Sequence, residues 1–218
     1  MRLSWFGVPL LVLCLSPGVA SAINFSFTGT FLTDDQIEAF LFMAPTPNAT
    51  VTLRTYGYAG GTNAAGMTIP AGGLDPILSV FAVNGGVIGT LIGSNNDGAG
   101  VPVDPATGNA FDSLLALSTL TAGQTYAVIL SQNDNAANGP TFADGFLEAG
   151  NGNFTAAFGC GGPAFCDVTP SQRTGFWAVD ILGAGAATDI SMPEPGSFLL
   201  LGAGIVAMAL HRRRSRQA

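Results

Sequence analysis

Five side chains with hard oxygen donors, Asp75, Asn96, Asp97, Asp104 and Asp112, fall in or beside one stretch rich in glycine and asparagine. Carboxylate and amide oxygens on a flexible loop suit Ca2+, which gathers roughly six to eight oxygen ligands. The spacing is not that of an EF-hand loop, because Ala106 and Gly108 stand where ligands belong. The same residue types have a plainer use, since Asp and Asn side chains accept backbone N–H groups in turns. A second constellation is "TVTLRTYGY", where Arg54, Tyr56 and Tyr58 alternate onto one face of an expected strand. Two phenol rings and one charge offer a platform for a sugar ring, with Trp177 as a further aromatic. Otherwise the tyrosines cover a sheet edge and Trp177 belongs to the core. A third set, Asp134, Asp144 and Glu148, keeps hydrolysis of glycosides by a carboxylate pair open.

Most other chemistries are missing. The single histidine, His211, lies near the C-terminus, and the chain has no lysine. Residues 23–192 therefore contain neither. That excludes a Ser-His-Asp or Cys-His mechanism, a histidine-ligated zinc site and a lysine Schiff base from this stretch. Its two cysteines, Cys160 and Cys166, enclose "GGPAF". In an exported chain the simplest reading of such a pair is a local disulfide.

Both ends carry transport features. The N-terminus has one early charge, Arg2, an apolar run over 8–15, and then Ala20-Ser21-Ala22. That is the layout of a secretory signal peptide cleaved after Ala22. Pro9, Pro17 and Gly18 make a buried helix a poor alternative. The C-terminus reads Pro193-Glu194-Pro195, then thirteen apolar or glycine residues over 198–210, then His211 and the cluster Arg212, Arg213, Arg214 and Arg216. As a helix the apolar run spans roughly 20 Å, short of the roughly 30 Å hydrocarbon core. With snorkelling arginines it is a marginal, temporary anchor whose basic end stays cytoplasmic. The stretch between the two ends holds thirteen acids against Arg54 and Arg173, a formal charge of −11. Such a body repels nucleic acid.

The elements that must position the candidate residues read as strands. About 170 residues suffice for one domain with a real core, and period-two segments bounded by turn residues dominate it. "INFSFTGTF" alternates, while "QIEAFLFMA" is either a short helix or a doubly buried strand. "TVTLRTYGY" directs Val51 and Leu53 to one side. "PILSVFAVNGGVIGTLI" is an expected hairpin turning at Asn84-Gly85-Gly86, where positive φ is needed. "FDSLLALSTL" and "QTYAVILSQ" look like a second hairpin around Thr121-Ala122-Gly123, and "RTGFWAVDILG" is a last strand returning beside the first. About eight strands argue for an all-β fold, a single jelly-roll or Greek-key sandwich over 23–182. Two long loops interrupt it, and 183–192 is expected to be a flexible linker. No internal repeat is visible, and three N-x-[ST] sequons, at Asn24, Asn48 and Asn153, read as chance matches.

Two resemblances attach to these residues. The order Pro193-Glu194-Pro195, apolar span, arginine cluster resembles the PEP-CTERM sorting signal of Gram-negative bacteria. The resemblance implies recognition by a membrane-embedded exosortase, a transient stay in the inner membrane, cleavage near the motif, and delivery to the cell surface or an extracellular polysaccharide matrix. More loosely, "GGLDPILSVFAVNGGVIGTLIGSNNDG" with "FDSLLALSTLTAGQTYAVILSQND" resembles the bacterial pre-peptidase C-terminal domain, over about a third of the chain. A paired Asp of that family reads Asn96-Asp97 here, which weakens a metal site carried over from it. Together these imply a non-enzymatic surface or matrix β-sandwich. A calcium-assisted carbohydrate-binding module is the alternative, and a glycoside hydrolase stands behind both.

Overall fold

The computed structural model describes residues 21–190. Ala20, at the expected signal cleavage site, lies outside them, as do Pro193, Glu194, Pro195, Arg212, Arg213 and Arg214. Within the described residues no helix is long and apolar enough to cross a membrane.

The chain forms β1 (Ile23–Thr30), β2 (Ile37–Met43), β3 (Val51–Thr55), β4 (Gly61–Thr62), β5 (Thr68–Ile69), β6 (Pro76–Asn84), β7 (Val87–Asn96), β8 (Leu114–Leu117), β9 (Thr125–Gln132), β10 (Phe176–Ala184) and β11 (Ala186–Ile190). One sheet runs β1-β10-β3-β8 and the other β11-β2-β9-β6-β7, while β4 and β5 make a separate ribbon. Without the ribbon and β11, the two orders are those of an eight-stranded jelly roll, with successive crossings between the sheets. β11 adds a ninth strand outside β2.

The core lies between the sheets. Phe40, Phe42, Leu78, Val80, Val128 and Leu130 come from one side, with Val51, Leu53, Trp177, Val179 and Ile181 from the other. Phe40 meets Trp177 edge to face, ring centroids 5.7 Å apart, so Trp177 is a core residue. β2, β6 and β9 are covered on their second face too. There the 133–148 segment folds back over the sheet, and Phe81, Ala127 and Ile129 pack with Phe142 and Phe146. This second cover explains why "QIEAFLFMA" lacks a polar face, and resolves it as a strand.

The first hairpin forms as expected: Asn84 pairs with Val87, and Gly85 and Gly86 both take positive φ. The second does not form. β8 pairs with β3 in one sheet, whereas β9 pairs with β2 and β6 in the other. The residues between them cross from sheet to sheet, pinned where the Thr121 N–H donates to the Tyr126 hydroxyl. The expected linker is also corrected. Residues 186–190 are hydrogen-bonded as β11, from Ala186 opposite Met43 to Ile190 opposite Ala39. Just before it, within β10, Gly183 is required, since its φ is +76° and a Cβ there would lie 2.9 Å from the Thr50 carbonyl oxygen.

Candidate functional site

The expected sugar platform is an interior knot. β3 ends at Thr55, and the chain then turns inward, with the Gly60 N–H bonded to the Tyr56 carbonyl. Period-two alternation therefore stops before the tyrosines. Tyr56 is buried and Tyr58 completely so. Burial pushes both phenols up to about 12. Arg54 lies over the Tyr56 ring at 4.8 Å.

At the centre of the knot is Arg173, which sequence reading did not single out. Its guanidinium stacks on the Tyr58 ring at 3.8 Å. It donates through Nη1 to Asp104 Oδ2 at 2.7 Å, through Nη2 to the Tyr58 carbonyl, and through Nε to the Gly73 carbonyl. The Tyr58 hydroxyl donates to Asp167 Oδ2 at 2.7 Å. Asp112 accepts from the Thr55 hydroxyl and from the N–H groups of Tyr58 and Ala59. A clue was present in the sequence: Arg173 is one of two cations in the body, and Asp167-Val168-Thr169 has the spacing of an Asx turn, which forms.

This knot uses up much of the expected calcium loop. Asp104 is committed to Arg173, Asp112 to Thr55 and the loop N–H groups, and Asn96 donates to Asn133. Asp97 is exposed. Among the described residues no group of three or more acidic, His or Cys side chains is arranged to hold a metal, so the five do not assemble as one ligand set. Burial works against the charge of Asp104, but the Ala106 N–H and Arg173 hold it below the usual carboxylate range. Asp75 is different. It is buried with Oδ1 unpartnered, and burial, followed by the charges of Asp97, Asp167 and Asp112, pushes it up to about 8.

Six of the thirteen body carboxylates are buried, namely Asp34, Asp75, Asp104, Asp112, Asp167 and Asp180. Apart from Asp75 they serve as internal acceptors. Asp34 takes N–H groups from Asn153 and Thr155, and Asp180 binds Ser26 and the Ala64 N–H. Cys160 and Cys166 are joined in a disulfide, with Cα atoms 5.5 Å apart.

The third candidate set divides. Asp144 is turned back on its own turn, accepting from the Thr141 N–H and hydroxyl at 2.9 and 2.7 Å. Asp134 and Glu148 instead share a groove of about 440 Å³ with Ile77, Ser94, Asn96, Asn133, Ala136 and Leu147. The groove sits at one end of the outer face of the β6-β7-β9 sheet, under the returning 133–148 segment. Sequence alone suggested acids in a loop but not that two of them border one concavity.

Residues 193–214 match the family model of the PEP-CTERM protein-sorting motif. No curated protein matches the chain. The motif is that of exported proteins recognised by an exosortase.

Proposed function

We propose that the chain is a non-enzymatic protein of the cell surface or extracellular polysaccharide matrix, delivered and trimmed through its C-terminal signal. The sorting motif at 193–214 carries this reading. Its apolar run holds the precursor briefly in the inner membrane, arginines on the cytoplasmic side, while the jelly roll folds outside. The body suits exposure to an oxidising medium, with a disulfide and with loops tied by internal carboxylates. Its polar interior is spent on structure: Arg173, Tyr58, Asp104, Asp112 and Asp167 bond to one another and to backbone. The absence of His and Lys from 23–192 removes histidine- and lysine-based catalysis.

The test replaces Pro193-Glu194-Pro195 with three alanines and follows the body by fractionation. Wild type is expected at the surface or in the matrix, and the variant in the inner membrane. Equal surface delivery of both would overturn the sorting claim. Incubation with the host's own polysaccharide is expected to release no reducing sugar, and release would overturn the non-enzymatic claim.

A further inference from the structure

The groove bordered by Asp134 and Glu148 has unspent hydrogen-bonding capacity, most of it in acceptors. The Asp134 carboxylate is exposed and has no hydrogen-bond partner among the described residues. Its backbone sits at φ +71°, a left-handed conformation uncommon outside glycine. Glu148 uses Oε2 to accept from Asn151 at 2.6 Å, which leaves Oε1 available. Asn96 Nδ2 donates to Asn133 Oδ1 at 2.9 Å, so Asn96 keeps its oxygen and Asn133 keeps its two N–H donors. Asn133 is only 7% exposed and is one of the residues lining the groove. The Ser94 hydroxyl donates to the Leu78 carbonyl and lies 3.4 Å from the Ser79 hydroxyl, which leaves it one lone pair.

The wall is built in advance of any ligand. Asn135, completely buried, takes the Glu148 N–H on Oδ1 and donates Nδ2 to the Asp35 carbonyl. Phe142 packs edge to face on both Phe81 and Phe146, fastening the same segment to the sheet. A volume of about 440 Å³ lies within the roughly 300–1,000 Å³ range of small-ligand sites.

We propose that this groove binds a neutral, hydroxyl-rich saccharide through Asp134, Glu148, Asn96 and Asn133. Acceptors outnumber donors, so the ligand must bring many donors, as sugar hydroxyls do. Ile77, Ala136 and the exposed Leu147 supply apolar surface for the C–H face of a ring. No cation lines the groove, and both body arginines are engaged elsewhere, on Tyr56 and on Asp104. An anionic polymer would be repelled. The inference deepens the matrix reading, which places the protein among polysaccharide, and rests on it for its biological sense. The site lies apart from Arg54, Tyr56 and Tyr58.

The experiment is calorimetric titration of the full chain in mild detergent. The probes are maltotetraose, cellotetraose, laminaritetraose and mannotetraose, with polygalacturonate and calcium chloride as contrasts. At least one neutral tetraose is expected to bind saturably in the presence of a chelator. Asp134→Gly, which suits positive φ, and Glu148→Gln are each expected to weaken binding by roughly 10- to 100-fold, with unchanged melting temperature. Binding to none of the neutral probes, binding untouched by both variants, or heat from calcium or polygalacturonate alone would each overturn the proposal. Cleavage of a bound tetraose would support the ligand class and overturn the non-enzymatic reading. Fractionation of the alanine-triplet variant tests the sorting separately, so the two claims fail independently.

Discussion

At the residue scale the molecule is governed by how few cations it has. With only Arg54 and Arg173 in the body, most buried carboxylates take their hydrogen bonds from backbone N–H groups and hydroxyls. Arg173 serves the knot as both ion-pair partner and stacking surface, so Arg173→Met leaves Asp104 charged and buried with its ion pair broken. We expect a loss of about 3–5 kcal/mol, read as a lower urea midpoint at unchanged slope. Arg173→Lys should recover only part of it, because an ammonium cannot make the planar fork. Asp75 sets the pH response. A carboxyl whose folded value lies above its unfolded one binds more protons in the fold, so its stabilisation is full below about pH 4 and lost as pH rises through about 8. Glu38, pushed up to about 7 by burial and by Asp189, adds in the same direction. The melting temperature should therefore fall from pH 5 to pH 9. Asp75→Asn should make that slope shallower, leaving what Glu38 contributes below about pH 7 and what the raised Asp97 and Asp112 contribute, and an unaltered slope would contradict the assignment. Tyr56 and Tyr58 show why the site was half legible. Their aromatic character suggests a sugar platform, but both rings are buried: Tyr58 holds Arg173 and Asp167, and Tyr56 lies under Arg54. Alternation is informative only while a strand lasts, and β3 stops at Thr55, before both tyrosines.

At the element scale, local signals were sufficient where contacts are local. The Asn84-Gly85-Gly86 turn demands positive φ, and the hairpin follows. β8 and β9 look like a hairpin because nothing in "STLTAG" distinguishes a hairpin turn from a crossing between sheets. That choice is made by distant partners, β3 for one strand and β2 with β6 for the other. β11 resembles a linker in sequence because its small residues carry little apolar signal; pairing along β2 is what makes it a strand. The Cys160–Cys166 bridge clamps the loop that presents Asp167, and the Cys166 N–H is held by the Thr155 hydroxyl. Closing so short a loop is worth about 2 kcal/mol in the chain-entropy account. Reductant should lower the melting temperature by the same amount as a Cys160→Ala/Cys166→Ala double variant, and should not act on that variant. A reductant effect persisting in the variant would place the stabilisation elsewhere.

At the scale of the whole molecule, the jelly-roll class was legible from strand count and turn spacing, and the sorting motif of an exported protein from three consecutive features at the C-terminus. The groove was not, since Ser94, Asn96, Asp134 and Glu148 converge only after the 133–148 segment folds across the sheet. The body's exclusion of most catalytic chemistry depends on processing, because His211 and most of the chain's arginines belong to the ends. Processing is accordingly the central claim, and the intact mass of wild-type protein extracted from the cell surface tests it most directly. The account predicts a chain beginning at Ile23 and ending near Pro193-Glu194-Pro195, without His211 or the arginine cluster. A surface-extracted chain that still carries residues 198–218 would contradict it.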